Sequence, residues 1–143
     1  MRSPWTSCGP ALLLASALLT GCGRYVTAPP GPATATVTLT SAVTEGAILL
    51  RVTGPPRVTG PLFEGAPLAA RRDLLLYSRQ VSESELVVAV FGSVTSGPLF
   101  QVDIPDGRLV GGYTATIVQV ADPENELQDV SGYSVAVTAR GRN

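Results

Sequence analysis

From residue 33 onward, apolar side chains recur at every second position. In Thr34-Ala35-Thr36-Val37-Thr38-Leu39-Thr40, one face carries Ala35, Val37 and Leu39 and the other carries only threonine. A period of two belongs to a strand with one face buried and one solvated, because successive Cβ atoms point to opposite sides of a sheet. The pattern then repeats. A turn at Glu45-Gly46 leads into Ala47-Ile48-Leu49-Leu50-Arg51-Val52-Thr53, with Ile48, Leu50 and Val52 inward, and Gly54-Pro55-Pro56 stops it. Residues 57–72 carry no period, so Val58, Leu62 and Phe63 are expected in a short edge strand or a capping loop. Residues 73–79 and 85–91 read as neighbours joined through Val81-Ser82-Glu83-Ser84. The second of them is nearly continuous in β-favouring apolar residues and is expected at the centre of its sheet.

The remaining chain keeps the rhythm. Residues 98–104 point Phe100, Val102 and Ile104 inward and end at the Pro105-Asp106-Gly107 turn. Residues 113–120 form another strand, with Val118 and Val120 as its inward pair, and Asp122-Pro123-Glu124-Asn125 reads as a turn. Tyr133, Val135 and Val137 share one side of a closing strand over 133–138. Arg71-Arg72-Asp73-Leu74-Leu75-Leu76 also fits a helical turn, since so short a leucine-rich run has no decisive period. The expected fold class is all-β, an antiparallel β-sandwich of about seven to nine strands.

The start of the chain has a different grammar. Arg2 precedes an apolar run over 11–19, well short of the roughly 20 apolar residues that span a bilayer as a helix. It has the proportions of a signal-peptide core. Directly after it, Leu19-Thr20-Gly21-Cys22 resembles a bacterial lipobox. That resemblance implies a cleaved lipoprotein signal peptide over 1–21 and a lipidated Cys22 as the new N-terminus, holding the protein on a membrane without a transmembrane helix. Stable anchoring takes more than one acyl chain, and bacterial lipoproteins carry a diacylglycerol on this sulfur. The alternative is a conventional secretory signal, but no A-x-A site follows, because Val26-Thr27-Ala28 runs into Pro29-Pro30. The resemblance places the protein in the bacterial cell envelope, lipid-anchored. Gly23 stands where an inner-membrane retention aspartate would be, which favours the outer membrane if the cell has one. Residues 22–33 then form the anchor and a Pro/Gly-rich tether, semi-extended because proline lacks an amide donor and biases its neighbour away from helix. The sandwich domain is expected over 34–143.

Composition narrows the chemistry. Cys8 leaves with the signal, so no internal disulfide is expected, and burial alone must stabilise the domain. All ten basic residues are arginine, set against eleven acids, which gives no basic surface for nucleic acid. With no histidine there is no imidazole base for a Ser-His-Asp arrangement, and with no lysine there is no Ser-Lys dyad. A carboxylate pair, Asp103 and Asp106, is the one catalytic arrangement left to consider, and a strand end plus a turn residue before Gly107 explains both. The expectation is a non-enzyme without a cofactor, with a carboxylate-based envelope hydrolase as an alternative. Asp122, Glu124, Asn125, Glu126 and Asp129 concentrate oxygen ligands of the kind calcium prefers. Their spacing departs from an EF-hand, because Leu127 takes the place of the required glycine, so a solvated acidic turn is the competing reading. A glycan would need exposed aromatic rings. Trp5 falls in the signal, leaving Tyr25, Tyr77 and Tyr113. A protein partner would need only a face or an edge, and the threonine face of Thr34, Thr36, Thr38 and Thr40 offers one.

Three stretches carry a further likeness. Val87-Val88-Ala89-Val90-Phe91-Gly92, Ser96-Gly97-Pro98-Leu99-Phe100-Gln101-Val102, and the passage from Val118-Gln119-Val120-Ala121-Asp122 through Gly132-Tyr133-Ser134-Val135-Ala136-Val137 resemble the C-terminal half of a cohesin-like module. The same grammar is shared by immunoglobulin-like domains. The resemblance implies a β-sandwich acting as a non-catalytic binding or structural module with a protein or glycan partner in the envelope. A calcium- or glycan-dependent adhesion module is the alternative it leaves open.

Overall fold

A computed structural model describes residues 30–142. The expected signal peptide, Cys22, Trp5 and Tyr25 lie outside the described residues. Nine strands follow one another: β1 (Ala33–Thr40), β2 (Glu45–Thr53), β3 (Glu64–Ala69), β4 (Leu74–Ser82), β5 (Glu85–Val94), β6 (Gly97–Ile104), β7 (Thr114–Ala121), β8 (Leu127–Gln128) and β9 (Ser134–Gly141). Short 3-10 turns over Gly107–Gly112 and Val130–Gly132 precede β7 and β9. The strands build an all-antiparallel sandwich. One sheet runs β3-β6-β1-β9 and the other β4-β5-β2-β7-β8. Among the described residues no helix is long and apolar enough to cross a membrane.

The period-two pattern explains which side chains meet. Ala33, Ala35, Val37 and Leu39 of β1 are buried against Ile48, Leu50 and Val52 of β2, with Leu86, Val88 and Val90 from β5 and Phe100, Val102 and Ile104 from β6. Each valine, leucine, isoleucine or phenylalanine side chain taken fully out of water contributes roughly 1.5–3 kcal/mol, and each alanine less, before the entropy of ordering it is subtracted. β5 is an interior strand, between β4 and β2, but the middle of its sheet is β2. The leucine-rich run after Arg71 is a turn and then strand, not helix. Arg71 braces that corner by donating to the Thr95 hydroxyl at 2.7 Å and the Ser93 carbonyl at 2.9 Å.

One inward assignment fails. Val118 is exposed while Val120 is buried, because the β2–β7 register slips between Leu49, opposite Gln119, and Leu50, opposite Ile117. Val118 is the extra residue of a β-bulge, which turns the phase of the strand over so that Ala115 and Ile117 face the core on one side of it and Val120 on the other.

The irregular stretch before β3 closes one end of the sandwich. Leu62 and Phe63 are buried there, and Val58 packs against the same core. The Leu62 amide donates to the Glu83 carbonyl at 2.9 Å, and the Tyr113 hydroxyl donates to the Leu62 carbonyl at 2.7 Å. Both ends of the described chain are fastened at this same end. The Gly31 carbonyl accepts from the Gly107 amide at 2.8 Å and the Pro32 carbonyl from the Arg142 amide at 3.2 Å, so Gly31 and Pro32, within the stretch expected as a tether, are bonded to the domain. Arg142 also bridges Asp103 at 2.7 Å and Glu64 at 2.6 Å, tying the chain's exit to β6 and β3.

Candidate functional site

The two outer faces of the sandwich differ in chemistry. On the four-stranded sheet the alternate residues of β1 are threonines. Thr34 donates to Asp103 at 2.8 Å, and Thr36 sits opposite Gln101 on one side and Thr138 on the other. Thr34, Thr36, Gln101, Thr138 and Arg140 line a broad, mostly polar depression of about 500 Å³. Its hydroxyls and amide resemble a solvated sheet surface.

The outer face of the five-stranded sheet is apolar over the half nearest the start of β2, while its other half carries Arg79, the Arg51–Glu85 ion pair and the Thr53–Thr114 hydroxyl contact. Register places Leu75, Phe91, Ala47, Ala121 and Leu127 in one row across β4, β5, β2, β7 and β8, and Tyr77, Ala89, Leu49 and Gln119 in the next. Leu75, Tyr77 and Leu127 are 64%, 68% and 69% exposed, and Phe91 is 41% exposed. Tyr77 and Phe91 meet edge to face with ring centres 5.8 Å apart. Between them and Leu127, the small side chains Ala47, Ala89 and Ala121 leave a shallow hollow of about 200 Å³ floored by Leu49. The cause is visible in the strands. Ala47 to Leu50 of β2 and Leu86 to Phe91 of β5 are apolar at every position, so burying one face there leaves the other apolar too. Exposed large apolar side chains gathered on one face, as distinct from scattered singly, mark a contact surface.

The other candidate residues are distributed as follows. Asp122 is a turn organiser: one carboxylate oxygen accepts from the Glu124 and Glu126 amides at 3.0 and 2.8 Å, the other from the Gln128 side chain at 2.8 Å. Asn125 takes the left-handed conformation of that turn, with φ 69°. Asp129 caps the second 3-10 turn by accepting from the Ser131 amide at 2.8 Å, which holds its carboxyl below the usual range. Glu124 and Glu126 lie in the same turn, exposed, and among the described residues no three Asp, Glu, His or Cys side chains gather as a metal site. Asp103 and Asp106 are likewise occupied. Asp103 holds Thr34 and Arg142. Asp106 caps the first 3-10 turn, and its pKa is held down to about 2 by the Arg108 guanidinium, 2.6 Å away, and by the Arg108 amide.

The tyrosines separate cleanly. Tyr77 presents its ring on the apolar face, while Tyr113 is buried against Phe63 and offers no surface for a glycan. Burial, with the charges of Glu64 and Asp106 nearby, pushes the Tyr113 hydroxyl up to about 12. Tyr133 is also raised to about 12, chiefly by donating its hydroxyl to Glu45, a carboxylate buried at the start of β2. Sequence reasoning missed Glu45, whose place in a turn gave no sign of burial. It also missed Leu75, Phe91 and Leu127 as a surface, although the unbroken apolar runs of β2 and β5 carried that signal. No family model, curated protein or solved structure matches the chain.

Proposed function

We propose that this chain is a lipid-anchored protein of the bacterial envelope, held through Cys22, whose cohesin-like β-sandwich is a non-catalytic binding module. Its contact surface is the outer face of the five-stranded sheet. The observation that supports the binding role is the cluster of Leu75, Tyr77, Phe91 and Leu127 around the Leu49 hollow. The lipobox supports the anchor. A protein partner suits this face better than an ion or a polar metabolite, because apolar side chains predominate in it.

Two measurements test the two halves separately. Intact mass and membrane partition of the expressed chain, with Cys22→Ser beside it, address the anchor. Wild type is expected to begin at residue 22, carry acyl mass and fractionate with membranes, and the variant to do none of these. A photo-crosslinker placed at Phe91 or at Thr36 addresses the face. Adducts are expected from position 91 and not from 36, and equal capture at both would remove the reason for choosing the apolar side.

A further inference from the structure

β4 is the edge of the five-stranded sheet, and its residues form a sequence that fits itself. Among the described residues β4 pairs with β5 on one side only. The ladder is regular from Leu74 to Gln80, and the register slip between Gln80 and Ser82 ends it. Along its other side no strand among the described residues takes up its main-chain donors and acceptors, as at a sheet edge. Its outward row is Leu75, Tyr77 and Arg79, with the exposed Val81 at the slip. Such an edge would ordinarily be protected by an inward charge, a proline or a very short strand. β4 has nine residues and no proline, and its one charge, Arg79, forms no ion pair among the described residues.

We infer that β4 pairs antiparallel with β4 of a second copy, about a two-fold axis through Ser78, to make a continuous ten-stranded sheet across a symmetric dimer. A two-fold contact is isologous, so each residue of one copy meets a fixed residue of the other. With Ser78 opposite Ser78, the register sets Tyr77 opposite Arg79 of the second copy, and the same pair again by symmetry. An aromatic face and an unpaired guanidinium attract each other, and an aromatic facing a cation is a favourable cross-strand neighbour. Leu76 then faces Gln80, and Leu75 lies near Val81. An axis through Arg79 would instead set two arginines opposite each other. An axis through Leu76 would draw the pairing towards Arg71 to Leu74, where the Leu74 amide is already bonded within a turn to the Arg71 carbonyl. The chosen register is therefore the one in which the charge finds a partner and the ladder stays on the open part of the strand. It also extends the apolar outer face of one copy into that of the other. The inference stands on β4 alone and does not depend on Cys22 being lipidated.

Site-specific cysteines in the full chain test the register. Facing residues of an antiparallel pair have Cα atoms about 4.5–5.5 Å apart, within the range a disulfide bridges. Under mild oxidation Ser78→Cys is expected to give a covalent dimer, and Gln80→Cys, displaced from its own copy by four residues along the ladder, is expected to give none. The unsubstituted chain, with its cysteines at 8 and 22, is the control. The chemistry is tested by sedimentation. Tyr77→Arg places two like-charged pairs in the contact and is expected to weaken dimerisation by roughly tenfold or more. Adding Arg79→Tyr restores the pair with its members exchanged, and is expected to recover most of the loss. Both positions are exposed, and an unchanged far-ultraviolet circular dichroism spectrum verifies that the variants fold. Monomers at all concentrations, equal crosslinking at 78 and 80, or failure of the exchange to rescue would each overturn the inference. So would capture of a different protein by a photo-crosslinker at Ser78.

Discussion

Removing one oxygen from Tyr113 is expected to loosen a whole end of the domain. The hydroxyl is buried and donates to the Leu62 carbonyl at 2.7 Å, and the ring packs edge to face on Phe63 at 5.7 Å. Tyr113→Phe keeps the ring and leaves a buried carbonyl without that donor. An orphaned buried acceptor costs about 1–3 kcal/mol, and 1 kcal/mol moves the melting temperature by roughly 4–8 °C in a domain near this size. A fall of about 10 °C is the central expectation on that scaling. The loss should be local in origin, because the hydroxyl fastens the residues between β2 and β3. Hydrogen exchange should therefore accelerate first at the Gly54 and Leu62 amides, which donate to the Ser84 and Glu83 carbonyls. Denaturant melts with Tyr77→Phe as the companion variant provide the assay, since Tyr77 is mostly exposed and its loss of a hydroxyl should shift stability by less than about 0.5 kcal/mol. Equal effects at 77 and 113, or no change in exchange at Gly54 and Leu62, would refute the reasoning.

Four further outcomes follow from the same geometry. The Tyr113 and Tyr133 hydroxyls sit near 12 in the fold and near 10 when unfolded, so the native state holds protons that the unfolded chain releases, and stability should fall as pH rises from about 10 to 12; melts across that window should be flatter for Tyr113→Phe. The Asp106 carboxyl should titrate at about 2 by NMR and return towards the ordinary carboxylate range in Arg108→Ala, which removes the guanidinium that lowers it. Gly92 has φ 125°, and a Cβ there would collide with the Asp73 carbonyl, so Gly92→Ala should destabilise by about 1–3 kcal/mol or more; an unchanged denaturation midpoint would contradict it. Val118→Thr should be within about 0.5 kcal/mol of wild type, whereas Val120→Ala, in the core, should cost on the order of 2 kcal/mol.

That last pair marks where the sequence was legible and where it was not. β1, β2 from Ile48 onward and β6 from Phe100 onward alternate without interruption, so period alone places Val37, Leu50 and Val102 inward, and they are buried; Leu99, the extra residue at the β1–β6 register slip, is buried beside Phe100 and escapes that reading. In β7 the period is broken by one inserted residue, and an apolar Val118 beside an apolar Val120 hides the break. The β4–β5 pairing is readable from two apolar runs joined by a short turn, but the pairing of β1 with β6 and β9 is not, because those partners lie far along the chain. The acidic stretch after β7 shows the limit of composition. Its carboxylates suggest a cation by residue type alone, and composition does not show that the amides two and four residues ahead share one Asp122 oxygen while the Gln128 side chain holds the other. The apolar face was concealed for the opposite reason, because leucine and phenylalanine in a strand read as core whether or not a second layer covers them.

The fastening of both chain ends at one pole has a mechanical consequence. Ala33 lies opposite Gly141, with β1 running away from that pole between β6 and β9. Sheet hydrogen bonds lie across the strands. Tension applied between the two chain ends peels β1 from β9 one bond at a time, starting at Ala33 and Gly141. Tension between residue 33 and a ligand gripping the opposite sheet instead pulls β1 along its own axis, and the bonds to both neighbours share the load together. The same domain is a weak zipper when stretched by its ends and a strong joint when it tethers a load.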